Sequence, residues 1–183
     1  MVLPLAMGWR HLLFENWPVD PAVVDAQLLE DLTADTRDGA AWLSTVPFTN
    51  VAVRPRGHPR RLGVRHPELN LRTYVTREGV PSVYFFSLDA QGVASVLGAR
   101  LFHHLPYFYA RVSLDWADGR VRFRSRRRHP GARPANYGAT YWPTGEPFAA
   151  PSDPLAAFLS YYEERIPAFT PGVNLTSLRQ TTF

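Results

Sequence analysis

Hydrophobic and polar residues alternate with period two on both sides of Asp118-Gly119. Asp-Gly between alternating runs is a strong hairpin signal, because a two-residue type I′ turn needs positive φ at both central positions. That turn sets Ala117 opposite Arg120, Trp116 opposite Val121, Leu114 opposite Phe123 and Val112 opposite Ser125. The second face pairs Asp115 with Arg122, Ser113 with Arg124 and Arg111 with Arg126. One face is apolar and the other charged, so turn and period agree on one register.

Glu78-Gly79 predicts a second hairpin, with Arg77 facing Val80, Tyr74 facing Val83, Arg72 facing Phe85 and Asn70 facing Ser87. Glu68, Asn70, Arg72 and Tyr74 then line one face of a strand. The partner run, Val83-Tyr84-Phe85-Phe86, is apolar on both faces, which predicts cover on both sides. A polar ladder beside such a strand is either the wall of an enclosed cavity or a wet face carrying an exposed ion pair. Asp38-Gly39 marks a third turn. Three helices carry start signals: Asp20-Pro21 before Val24, Leu28, Leu29 and Leu32; Asp89 before Val93, Val96, Leu97 and Leu101; and Asp153-Pro154 before Leu155, Phe158, Leu159 and Tyr162.

The 183 residues, 45% hydrophobic and 20% charged, suit one domain with a sizeable core. No apolar run approaches the ~18 residues of a membrane span. Met1 to Gly8 lacks the basic flank of a signal peptide, so the cytoplasm is the expected compartment. Cysteine is absent, which removes disulfides, thiolate nucleophiles and cysteine metal sites. Lysine is absent too. All 20 basic residues are arginines, and arginine offers no free amine.

Several blocks carry a family likeness: Trp9-Arg10 through Trp17-Pro18-Val19-Asp20, Gly39-Ala40-Ala41-Trp42 to Val46-Pro47-Phe48, Pro67-Glu68-Leu69-Asn70-Leu71-Arg72-Thr73-Tyr74-Val75, Val83 to Ala90, Leu105-Pro106-Tyr107 and Tyr141-Trp142-Pro143-Thr144-Gly145. Over about residues 9 to 160 the chain resembles the YqjF-like family of uncharacterised bacterial proteins, which is distantly similar to acetoacetate decarboxylase. The resemblance implies a β-rich α+β fold: an acetoacetate-decarboxylase-like closed or partly open β-barrel with about three peripheral helices. It places Glu68 on a strand like the one carrying the decarboxylase's pocket glutamate. The decarboxylase's Phe-Pro-Lys-Lys segment resembles Leu105-Pro106-Tyr107-Phe108, so its nucleophile and tuning lysine are replaced by Tyr107 and Phe108. Its early pocket arginine falls at Pro18. The scaffold is retained and the lysine Schiff-base reaction is not.

Residues 1–165 read as one such domain, and 166–183 as an atypical tail, either truncated or naturally short. Missing barrel strands would leave an edge open to a second chain, so self-association is one expectation. Within the proposed cavity Glu68 is the candidate base, and Asn70, Arg72, Ser87 and Tyr107 are candidate ligand-binding residues. The bland alternative is a buried Glu68–Arg72 pair with a purely structural role. His103-His104 reads as a helix C-terminal pair, and His58 and His66 as residues of an exposed loop. No motif calls for a metal or a cofactor.

The expected function is a barrel that binds a small organic acid or carbonyl compound, with or without catalysis. The alternative is a non-catalytic scaffold on the same fold. Nucleic-acid binding through Arg120 to Arg128 is the weaker alternative, because Phe123 and Trp116 fall on the apolar face and leave the arginines as a solvated stripe.

Overall fold

The computed structural model describes residues 5–93, 96, 105–146, 152–163 and 178–182. Eleven strands form one sheet: β1 (Leu5–Arg10), β2 (Glu15–Val19), β3 (Thr33–Ala34), β4 (Thr36–Arg37), β5 (Ala40–Pro55), β6 (Val64–Arg77), β7 (Val80–Ala90), β8 (Tyr107–Ala117), β9 (Arg120–Arg127), β10 (Asn136–Pro143) and β11 (Leu178–Thr182). The hydrogen-bonded order is β1-β5-β6-β7-β8-β9-β10-β11, with β2 and β4 also on β5 and β3 on β6. All pairings are antiparallel except β7–β8, which is parallel over Leu88 to Ala90 and therefore needs a crossover connection.

The three turn dipeptides behave as their chemistry requires. Asp38-Gly39, Glu78-Gly79 and Asp118-Gly119 all hold positive φ at both positions. The β8–β9 register agrees at every pair from Ala117↔Arg120 to Arg111↔Arg126. Burial along β9 alternates strictly, with Val121, Phe123 and Ser125 inside and Arg120, Arg122, Arg124 and Arg126 outside. Elsewhere the long β5 bulges between Asn50 and Val53. There Gly63 passes so close to Ala52 that a Cβ would meet the Ala52 backbone at 2.4 Å, so only glycine fits.

The main core lies where the sheet curls over. Leu69 of β6 packs with Ala110, Val112, Val121, Phe123, Ala139 and Tyr141 of β8–β10, and Leu13 from the β1–β2 link joins them. The Tyr141 hydroxyl donates to the His11 carbonyl, and the Tyr137 hydroxyl donates to Glu15 Oε2 at 2.9 Å. Burial, and for Tyr137 the neighbouring Glu15 carboxylate, raises both phenol pKa values. Both therefore stay neutral donors. These side chains bridge β10 to the β1–β2 link, but no ladder joins β1 to β11 among the described residues. The sheet is thus a curl and not a closed barrel, which corrects the closed form of the expectation.

Two α-helices are described along their length, α1 (Pro21–Asp25) and α2 (Pro154–Glu163); of the second predicted stripe only Val93 and Val96 are described, and both are helical. Asp20 caps α1 by accepting from Ala22 N, and Asp153 Oδ1 accepts from Ala156 N. The first helix is shorter than its apolar stripe. Asp25 Oδ1 accepts from Ala34 N at 2.7 Å, which draws the last helical residue to β3. Val24 is buried, Leu28 packs beside it and Leu29 is exposed.

Asp89 does not cap a helix. It lies within β7, where its carboxylate accepts from Arg127 Nε at 2.8 Å. Burial raises the Asp89 pKa, against the pull of Arg127. Val93 is exposed and Val96 buried, while Leu97, Leu101, His103 and His104 lie outside the described residues. No described helix is long and apolar enough to cross a membrane.

Candidate functional site

Glu68, Asn70, Arg72 and Tyr74 share one face of β6, as period two requires, and all four are buried: Glu68 and Asn70 are 2% exposed and Arg72 0%. Phe48, Val46 and Ser44 of β5 stand beside Glu68, Asn70 and Arg72. On the other flank stand Ala90, Leu88 and Phe85 of β7. Three polar side chains therefore sit in a wall of mostly apolar neighbours, where each needs a partner.

Glu68 finds several. Asn50 Nδ2 donates to its Oε2 at 2.8 Å, and the Tyr107 hydroxyl lies 3.2 and 3.3 Å from the two carboxylate oxygens. His66 Nε2 lies 3.6 Å from Oε2 and 3.3 Å from Asn50 Nδ2. Tyr107 reaches the site because it opposes Leu88, itself opposite Asn70. Burial, then the Glu68 charge and hydrogen bond, push the Tyr107 pKa well above its ordinary value. Tyr107 is therefore a donor at neutral pH, and the proton-accepting group of the pair is Glu68.

Arg72 belongs to a second cluster farther along β6. Its guanidinium carbon lies 5.2 Å from the Phe14 ring centroid and 5.9 Å from that of Tyr74. Tyr74 shares a hydrogen bond of 2.9 Å with Ser44, and packs with Trp42, Val83, Leu155 and Phe158. No Glu68–Arg72 ion pair forms: the carboxylate's partners are Asn50, Tyr107 and His66. Asn70 stands between the two clusters, with its buried Oδ1 making no hydrogen bond among the described residues.

Ser87 stands elsewhere. The β6–β7 register runs as the turn dictates from Arg77↔Val80 to Arg72↔Phe85, then shifts, so that Leu71 pairs with Ser87 and Asn70 with Leu88. Phe86 is the extra residue of a β-bulge. Ser87 thereby leaves the Asn70 face for the Leu71 face, and the expected Asn70–Ser87 pairing is absent. His66, expected in an exposed loop, is in β6 and half-buried. Counting back by two from Glu68 would have found it. Asn50 and Phe14 carry no such local signal, since strand pairing brings them in from a distance.

The DUF2071 family model, an uncharacterised conserved protein, matches residues 6–178. The uncharacterised protein YqjF of Bacillus subtilis is 43% identical over 153 residues, which are 83% of this chain and 62% of that protein. The chain thus spans under two thirds of that curated relative's length.

Among solved structures, acetoacetate decarboxylase of Legionella pneumophila is similar with a TM-score of 0.66 at 12% identity, over 100% of this chain and 74% of that one. The enduracididine biosynthesis enzyme MppR, complexed with pyruvate, is similar with a TM-score of 0.61 at 12% identity, over 100% and 79%. An acetoacetate decarboxylase-like enzyme of Sphingomonas wittichii gives 0.52 at 15% identity, over 98% and 89%. At such identities the likeness is one of fold: β-rich and acetoacetate-decarboxylase-like. With the family model spanning nearly the whole sequence and a relative this similar, the chain belongs to the DUF2071 family.

Proposed function

We propose that the buried ladder of Glu68, Asn70, Arg72 and Tyr107 binds a small organic acid or carbonyl compound and acts on it, where it acts at all, without covalent amine chemistry. The observation that carries this is a buried carboxylate held by the neutral donors Asn50 and Tyr107, with an unbonded amide oxygen next along the same face. Arg72 supplies the fork suited to a ligand carboxylate. Asn70 orients the ligand, and Glu68 takes or returns a proton at the carbon beside a carbonyl. A bound pyruvate in the structurally similar MppR supports the ligand class. The absence of lysine from all 183 residues removes the Schiff base. A second reading, a structural network, is favoured by the hydrogen bonds that already engage both Glu68 oxygens.

The test is a thermal-shift and NMR series with pyruvate, acetoacetate and their four- to six-carbon 2-oxo relatives. A ligand that binds the folded state raises the melting temperature with concentration. The rise is expected for at least one oxo acid. Arg72→Leu should abolish it, and Glu68→Gln should keep the binding but lose deuterium exchange at the carbon beside the carbonyl. Borohydride should trap no adduct on any internal residue. The reading is overturned if no oxo acid shifts the melt, or if Arg72→Leu shifts it as the parent does.

A further inference from the structure

The arginine-bearing face of β8–β10 holds a trough of about 450 Å³, lined by Arg111, Arg122, Arg124, Arg126, Asn136 and Thr140 among others and not by Glu68. All four arginines are exposed, and none forms an ion pair among the described residues, although Asp115 stands opposite Arg122. Arginines along β9 recur at every second residue, roughly 6.8 Å apart, so Arg120 to Arg126 makes a row about 20 Å long. Beside the row stand Ser113 and Asp115, opposite Arg124 and Arg122 on β8, and Asn136 and the buried Thr140, opposite Arg126 and Arg122 on β10. Gly138, opposite Arg124, leaves the middle of the trough open, for a Cβ there would meet nothing within 4 Å.

Phe123 and Trp116 of the hairpin face the other way, but β10 adds an aromatic to this face. Arg120 lies 4.3 Å from the Trp142 ring centroid. Such a surface concentrates positive charge along a line and offers hydroxyl and amide donors at its sides.

We infer that the β8–β10 trough binds single-stranded nucleic acid, with successive arginines on successive phosphates. Charge complementarity with a linear polyanion carries this, and the guanidinium fork fits phosphate oxygens. A phosphate-led mode is indifferent to base sequence and steeply dependent on salt.

The experiment measures fluorescence anisotropy of a labelled oligothymidylate, and a uridylate of equal length, against the full chain from low to physiological salt. The expected slope of log affinity against log salt is about −0.7 per phosphate neutralised, so roughly −2 to −3 for three or four arginines. Arg122→Ser with Arg124→Ser should flatten the slope by about 1.4 and weaken binding at least tenfold at low salt. The two lysine replacements should largely restore it. Gly138→Glu, which adds a carboxylate in open space, should abolish binding, while Gly138→Ala should not. Melting temperatures confirm that each variant is folded. The inference is overturned if neither strand binds at about 50 mM salt, if the serine pair or Gly138→Glu binds like the parent, or if a mononucleotide or a duplex of equal length binds as tightly as the single strand.

Discussion

The two long hairpins share a turn and little else. Both turn on a residue-glycine pair with positive φ at each position. The β8–β9 hairpin then keeps its register through all seven pairs from the turn to Arg111↔Arg126. The β6–β7 hairpin keeps it through Arg72↔Phe85 and then slips by one residue. In β8–β9 one face is dry and the other wet, so a one-residue slip would bury arginines and expose Phe123. In β7 both faces are apolar from Val83 to Phe86, so a slip exchanges one apolar residue for another. The pattern that resists slippage is missing there, and there the bulge occurs. The bulge lies beside the candidate site, as bulges often do, and decides which β7 side chains face it.

Removing the bulge is the strongest way to break this contrast. Deletion of Phe86 would restore unbroken pairing with Ser87 still opposite Leu71 and Leu88 opposite Asn70, so Asp89 would keep its side and its contact with Arg127. What is lost is the Phe86 ring, packed against Val24, Ala34 and Ala41, at a cost of about 3–5 kcal/mol. Urea denaturation should show the same loss in Phe86→Ala, which keeps the bulge. A deletion variant far less stable than Phe86→Ala would mean that the bulge itself, and not its ring, holds this end of the hairpin together.

Within the regular hairpin the contrast lies between its faces. Phe123 is fully buried at the centre of the main core. Phe123→Ala should cost about 3–5 kcal/mol, and the half-buried Leu114→Ala somewhat less, about 2 kcal/mol. On the wet face, Arg122→Ser with Arg124→Ser should cost at most ~1 kcal/mol, since neither arginine is ion-paired among the described residues. Equal losses on both faces in chemical denaturation would contradict the alternation of burial along β9.

What could be read before folding follows the same division. Turns and register were legible wherever local chemistry and period two agreed, which covers the β8–β9 hairpin and the first half of β6–β7. The shared face of Glu68, Asn70 and Arg72 was legible for that reason, while its burial was indicated only by the family likeness. Ser87 was misplaced because a bulge between two apolar faces leaves no trace in the pattern. Asp89 looks like a helix cap because an aspartate before an apolar stripe is that signal, and its true partner, Arg127, is 38 residues away. His66 was hidden by the arginine- and proline-rich run before it. The alternative of a Glu68–Arg72 pair runs into distance, since four residues along a strand span roughly 13 Å. Whether the sheet closes depends on pairing between distant edges, which no local pattern records.

The smallest effect expected is a pH dependence at the seam between the curl's two ends. His11 takes a left-handed φ of 54° between β1 and β2, its carbonyl accepts from Tyr141, and its ring lies 6.1 Å from Trp116. Burial, then the charges of Arg65 and Arg10, hold its pKa below the ordinary 6.5. The unfolded chain therefore binds more protons at His11 than the folded chain does near that pH. Stability contributed by the neutral ring is present above 6.5 and falls as the pH drops through 6.5 toward the folded value. Asp89 acts in the opposite sense at lower pH. Its raised pKa makes the folded chain the better proton acceptor, and stability falls as the pH rises from 3.8 through the folded value. Replacing His11 alone separates the two. Asn tolerates left-handed φ and does not titrate, so His11→Asn should keep the turn and flatten the rise of melting temperature between about pH 5 and 7. The parent's melting temperature should climb over that range, in the direction set by the lowered pKa. An unchanged profile in His11→Asn would assign the pH dependence to other groups.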